Sequence, residues 1–557
     1  MDRLLEIFFV PPIAIARLGS ADTPLAAYEW TEDREAHSGT ETVVRPSVTF
    51  EVEPDGRLSA SIPDEIRFKE DDGAIRPVAP FFELWVKLQS DQDGSEVEIP
   101  CTLDLLRHYG VGSENLTFKV EAGNRKAEMR TGDAACAFIA WLDIAGDDHE
   151  CKPLLASSPH TPGQEPLVFA DKPIPLGTFQ VIRAVDEKVV PAGGTEEVDF
   201  GVIRARFTPG KGKVYGPPTT TTAPASPLPP GGFVPEGSEY GRIWTVVPEK
   251  NRIVNPNTSW SKFSMDDPAV NPSTPMDSYD GARSGNHLSL GSVDDSCDLI
   301  VEAELVVAGQ RFSAIARAVT GPPDFAPDRR PFYSMADELA DRDLGPVEVS
   351  EETITVTRTE ILDLFRRIFE TASLFNLDQH RNWALGGNAG MLGIRAPNEP
   401  GWDDELTPKL GPASMRKSDT PYANIMPDLT PGQPDSIASE AGPNDSLPYT
   451  QAVAQIHGPL IEDAVLFDVL ARRADAIRKL VRPPFAALSD LPERPGIGKS
   501  PDYRDPRLLD SQLYDMRMPP YMRHSEGYPL SITKRQYEEL MDLLAYLEQT
   551  PPTSANA

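Results

Sequence analysis

Cysteine is scarce in this chain of 557 residues: Cys101, Cys136, Cys151 and Cys297 are the only four. They form no CxxC or Cys/His metal spacing. That argues against a disulfide framework and for reduced thiols in a cytoplasmic setting. Positive charge is short as well, with 53 Lys+Arg against 86 Asp+Glu and a net charge of −33. A nucleic-acid binder needs a basic face to neutralise phosphates, and an anionic membrane surface repels an acidic chain, so neither partner is expected. Solubility is the plain reading of the charge, with a specific cationic partner as the alternative. No stretch of apolar residues is long enough to span a bilayer. The apolar run from Ile7 to Ile15 is broken by Pro11 and Pro12 and no small-residue cleavage site follows, so it reads as a buried strand rather than a signal peptide. Also missing are a GxxxxGK[ST] phosphate loop, HExxH, a GxSxG elbow, an EF-hand loop and any internal repeat. The eight histidines are scattered without metal-ligand spacing, and no metal site is expected.

Proline is the residue in excess, 56 in all, close to one in ten. Proline cannot donate to a sheet ladder and breaks helix interiors, so short strands and much irregular backbone follow. The length suggests several domains, and the expected class is multi-domain α+β. Residues 1–215 form a β-rich part. SVTFEVEPDGRLSASI alternates around the turn pair Asp55-Gly56, and FFELWVKL, LTFKVEA, ACAFIAWLDIA, PLGTFQVIRAVDEKVV and EVDFGVIRARFTP read as further strands. Residues 216–350 hold a proline- and threonine-rich connection, then two strands around Gly309. Residues 351–557 are mainly helical with long proline-rich loops. Ile361, Leu364, Phe365, Ile368 and Phe369 share one helix face, a kinked helix covers 450–480, and Leu540, Leu543, Leu544 and Leu547 share the face of a last helix. Junctions between such parts commonly hold ligands, and the long loops are expected to close over this one.

Three segments have functional character. Residues 281–300 bring His287, Asp294, Asp295, Cys297 and Asp298 together; adjacent carboxylates there either bind a cation or hold a turn. Residues 375–391 place His380, Asn382, Trp383 and Asn388 beside the irregular stretch 386–450, where ligand-contacting loops tend to lie, while WALGGNAGMLGI reads as a structural turn before a phosphate cradle. Residues 511–532 carry Asp515, Arg517, Tyr521, Arg523, His524 and Tyr528 among methionines and prolines. Either the arginines clamp a carboxylate and His524 shuttles a proton, or an Arg–Asp network ties the loop down.

Several strings in order resemble the LodA/GoxA family, the amino-acid oxidases with a cysteine tryptophylquinone. These are VPPIAIARLGSADTP, with Ala14 where glycine is usual, DDSCDLIVEAEL, GPPDFAPDRRPFYSMADELADR and MRMPPYMRHSEGYPLSITKRQYEELM. The resemblance implies an oxidoreductase acting on a free amino acid or related amine, using dioxygen and releasing hydrogen peroxide, with a maturation flavoprotein as helper. Under it, Arg517 or Arg523, with His380 and Trp383, would bind substrate, and Asp515, Tyr521 and His524 would form the catalytic group. The family's cofactor cysteine and tryptophan both lie in the C-terminal half. Here no cysteine follows Cys297 and no tryptophan follows Trp402, so the only late pairing is Cys297 with Trp383 or Trp402. The cofactor is therefore open, with a quinone considered and disfavoured. The alternative function is a quinone-less homologue that binds a small amino compound or serves as an accessory or structural protein. Further copies of the chain are an open alternative as partner.

Overall fold

The computed structural model describes residues 2–32, 42–218, 247–262, 291–324, 326–345, 348–373, scattered positions between 470 and 481, and 532–549. The chain is a mixed α+β protein that divides into two units, residues 1–29 with 45–326 and residues 30–44 with 327–557.

The first unit is built on two sheets. Their strands, in chain order, are β1 (Arg3–Val10), β2 (Ile13–Arg17), β3 (Phe81–Gln89), β4 (Glu96–Pro100), β5 (Leu116–Asn124), β6 (Phe138–Ala145), β7 (Lys152–Ala156), β8 (Ile174–Val181), β9 (Arg204–Pro209), β10 (Asp298–Val307) and β11 (Gln310–Gly321). One sheet runs β1–β3–β9–β8–β7, with β4 also on β3; the other runs β6–β5–β10–β11–β2. All pairings are antiparallel except β11 with β2. The alternation in sequence is the cause. In β5, every second residue from Leu116 to Asn124 is buried, and β10 does the same from Leu299 to Leu305. The inward rows of both sheets, among them Phe82, Leu84, Phe179 and Phe207 with Phe118, Val120, Val301 and Ala303, form one core. The hairpin expected around Asp55-Gly56 is present, joining Thr49–Val52 to Leu58–Ser61, and Gly56 takes φ +83° there.

The sequence separates 216–350 from the β-rich part, yet β10 and β11 lie in the same sheet as β5 and β6. The proline-rich composition that suggested a boundary interrupts the chain without ending the sheet.

In the second unit lie helices α3 (Met335–Asp343), which buries no residue, and α4 (Ile354–Ser373) and α5 (Lys534–Gln549), which follow the apolar spacing. The short helices α1 (Leu103–His108) and α2 (Lys126–Thr131) belong to the first unit. Ile361, Leu364, Phe365 and Ile368 are buried with Leu540, Leu543, Leu544 and Leu547, and Leu470 and Ile477 join them. Ser334 caps α3 reciprocally with Asp337. Asp337 also accepts from Gln536 at 2.8 Å and pairs with Arg367 at 3.2 Å, so one carboxylate ties all three helices.

Candidate functional site

Of the three candidate segments, the described residues include 291–300 of the first and Ile532 alone of the third. Asp294 pairs with Nζ of Lys126 at 2.8 Å and accepts from the Asn124 side chain and the Ser296 backbone, each at 3.2 Å. Asp295 is almost wholly buried. One of its oxygens accepts the Lys213 backbone N–H at 2.9 Å, the other the Lys211 N–H at 3.0 Å, and its own N–H donates to the Lys213 carbonyl. A Cβ built on Gly210 would come within 2.8 Å of its carboxyl carbon, so the 210–213 loop closes directly over it. Burial pushes the Asp295 carboxyl up to about 6, against the lowering effect of the two backbone donors. With both oxygens committed to the loop, the Asp294–Asp295 pair holds a turn. Among the described residues no group of three or more His, Cys, Asp or Glu is placed to hold a metal ion.

The cysteines separate by burial. Cys101 and Cys297 lie in the core and their thiols are pushed up to about 12 by desolvation. The Cys297 sulfur sits 3.6 Å from the Leu176 carbonyl oxygen and 3.9 Å from Oγ1 of Thr320. Cys136 is buried with its sulfur 3.3 Å from the Ser259 hydroxyl. Cys151 alone is exposed. Across the first sheet, Gln180 pairs with Arg206 and Arg206 with Phe81. The Arg206 guanidinium lies over the Phe81 ring at 5.2 Å, and its Nε forms no hydrogen bond among the described residues. Burial lowers the pKa of that guanidinium. Its neighbour Arg204, over Phe50 at 5.2 Å, differs in having a carboxylate partner, Glu83 at 2.7 Å.

No family model, curated protein or solved structure matches this chain.

The residues expected to bind or transform substrate, His380, Trp383, Asp515, Arg517, Tyr521, Arg523 and His524, lie outside the described residues, as do the 386–450 stretch and most of the helix expected over 450–480. A tryptophylquinone needs a cysteine sulfur bonded to an indole ring. Trp383 and Trp402, the tryptophans left to pair with Cys297, lie outside the described residues, and Cys297 is buried in the sheet core, which also holds the Trp260 indole. No helix among the described residues is long and apolar enough to cross a membrane.

Proposed function

We propose that the chain is a LodA/GoxA-like protein that binds a free amino acid or a related amine, and that it does so without a cysteine tryptophylquinone. The observation that carries this reading is the seat of Cys297, the last cysteine in the sequence. Burial in the packed sheet core pushes its thiol up to about 12, and a buried apolar thiol gives up little of the thiolate that reactive cysteine chemistry uses. The amino-compound part of the reading is supported by the ordered strings that resemble the family. On it, Arg517 or Arg523 holds the substrate carboxylate, Asp515 or His524 moves a proton, and Tyr521, Trp383 and His380 wall the site. The β-rich N-terminal and helical C-terminal layout, with proline-rich loops over the site, belongs to the same proposal, as does a cytoplasmic setting in which all four thiols stay free.

Calorimetric titration with a panel of free amino acids and simple amines tests it. One member of the panel binds, and Arg523→Ala weakens that ligand at least tenfold, about 1.4 kcal/mol, with the melting temperature unchanged. Unaltered affinity in the folded variant removes Arg523 from the site, and a panel without any ligand removes the amino-compound reading. Amine-dependent hydrogen peroxide release from the pure chain would instead place it with the oxidases.

A further inference from the structure

The outward face of the second sheet departs from its chemistry elsewhere. A sheet packed on one side normally turns polar residues to water on the other. Here the register sets Trp141, Glu121, Ile300, Arg317 and Ile13 in one row across β6–β5–β10–β11–β2. The adjacent row on one side includes Gly123, Asp298, Val319 and Ile15; the row on the other includes Asp143, Lys119, Glu302 and Ile315. Six large apolar side chains of this face are exposed, from Trp141 at 59% and Ile315 at 52% to Ile300 at 39%. Scattered exposed apolar residues are ordinary, but six on one sheet face make a patch. In its midst, the Arg317 guanidinium forms no hydrogen bond or ion pair among the described residues.

We propose that this face is a homodimer interface, covered by the same face of a second copy across a two-fold axis running along β10 through Ile300. The charge order selects this partner. Glu121 and Arg317 flank Ile300 on opposite sides of one row, and an axis along the strand exchanges the two sides. Each Arg317 then meets Glu121 of the second copy, twice per interface, as an isologous contact requires. The same operation lays Ile13 on Trp141, Ile300 on its counterpart, Val319 on Gly123 and the Ile139 side chain that leans over it, and Ile315 on the aliphatic stem of Lys119. Glu121 already accepts the Trp141 indole N–H at 3.3 Å, so the aromatic anchor is held in place before contact. Asp298 and Glu302 fall on the axis and repel their counterparts, which weakens the dimer without changing its symmetry.

Sedimentation of the full chain tests the interface, at roughly 50 μM protein and about 0.15 M salt, where the Debye length of about 8 Å screens the net charge. The wild type is expected at twice 61.0 kDa. Arg317→Glu and Glu121→Arg, both on exposed or half-exposed positions, should each weaken dimerisation about tenfold or more by placing like charges opposite one another. Mixed in equal amounts, the two variants carry complementary faces and should recover the dimer, while Asp298→Asn should tighten it. Circular dichroism confirms that each variant is folded. A monomeric wild type, a dimer indifferent to Arg317→Glu, or two folded variants that stay monomeric when mixed would each overturn the proposal.

Discussion

Four thiols in one chain experience three environments, and burial ranks them. Cys101 and Cys297 are core thiols pushed up to about 12, Cys136 is buried against a serine hydroxyl, and Cys151 meets solvent. A native-state thiol titration is therefore expected to find one fast-reacting group, none in Cys151→Ser, and four after unfolding. Asp295 gives a second expectation at this scale. Its folded carboxyl titrates near 6 against an ordinary 3.8, so the folded state binds the proton more tightly than the unfolded one. That contribution is fully present below the ordinary value and is lost as pH rises through about 6. Asp295→Asn cannot titrate and turns an amide N–H₂ toward a backbone donor, costing on the order of 1–3 kcal/mol. The stability gap between wild type and variant should widen by up to about 3 kcal/mol from pH 7 to pH 4. A gap independent of pH would show that the carboxyl does not titrate there. The sequence shows two adjacent aspartates and leaves both cation binding and turn anchoring open; what decides between them is the backbone N–H groups of 211 and 213, brought from a distant stretch.

Elements were legible where one face is apolar. The 3.6-residue spacing of Leu540, Leu543, Leu544 and Leu547 marks the buried side of α5, and all four are core residues. Removing a fully buried side chain leaves a cavity, so Leu544→Ala should cost about 2–5 kcal/mol by chemical denaturation. A loss under about 1 kcal/mol would mean that the helix face is not packed as described. Strand alternation was equally readable for β5, β10 and β11. What could not be read was partnership. β10 pairs with β5 across a separation in sequence that no local pattern encodes, and the proline-rich stretch between them reads as a boundary by composition alone. For the same reason the outward row from Trp141 to Ile13 is invisible until register aligns four pairs of strands.

For the molecule as a whole, charge and composition exclude more than they assign. A net charge of −33 weighs against polyanionic partners, while the residues that resemblance puts at the substrate site sit in one stretch rich in glycine and asparagine and another rich in proline and methionine, where apolar periodicity gives no purchase. The function therefore turns on covalent state. The most direct measurement is the intact mass, with the visible spectrum, of the chain purified from cells that also supply a maturation flavoprotein. The account predicts the unmodified mass of 61.0 kDa and no visible chromophore. A gain of about 28 Da, the arithmetic of two added oxygens, the lost ring hydrogens and one thioether, together with visible absorbance, would contradict it and make the chain a quinone oxidase.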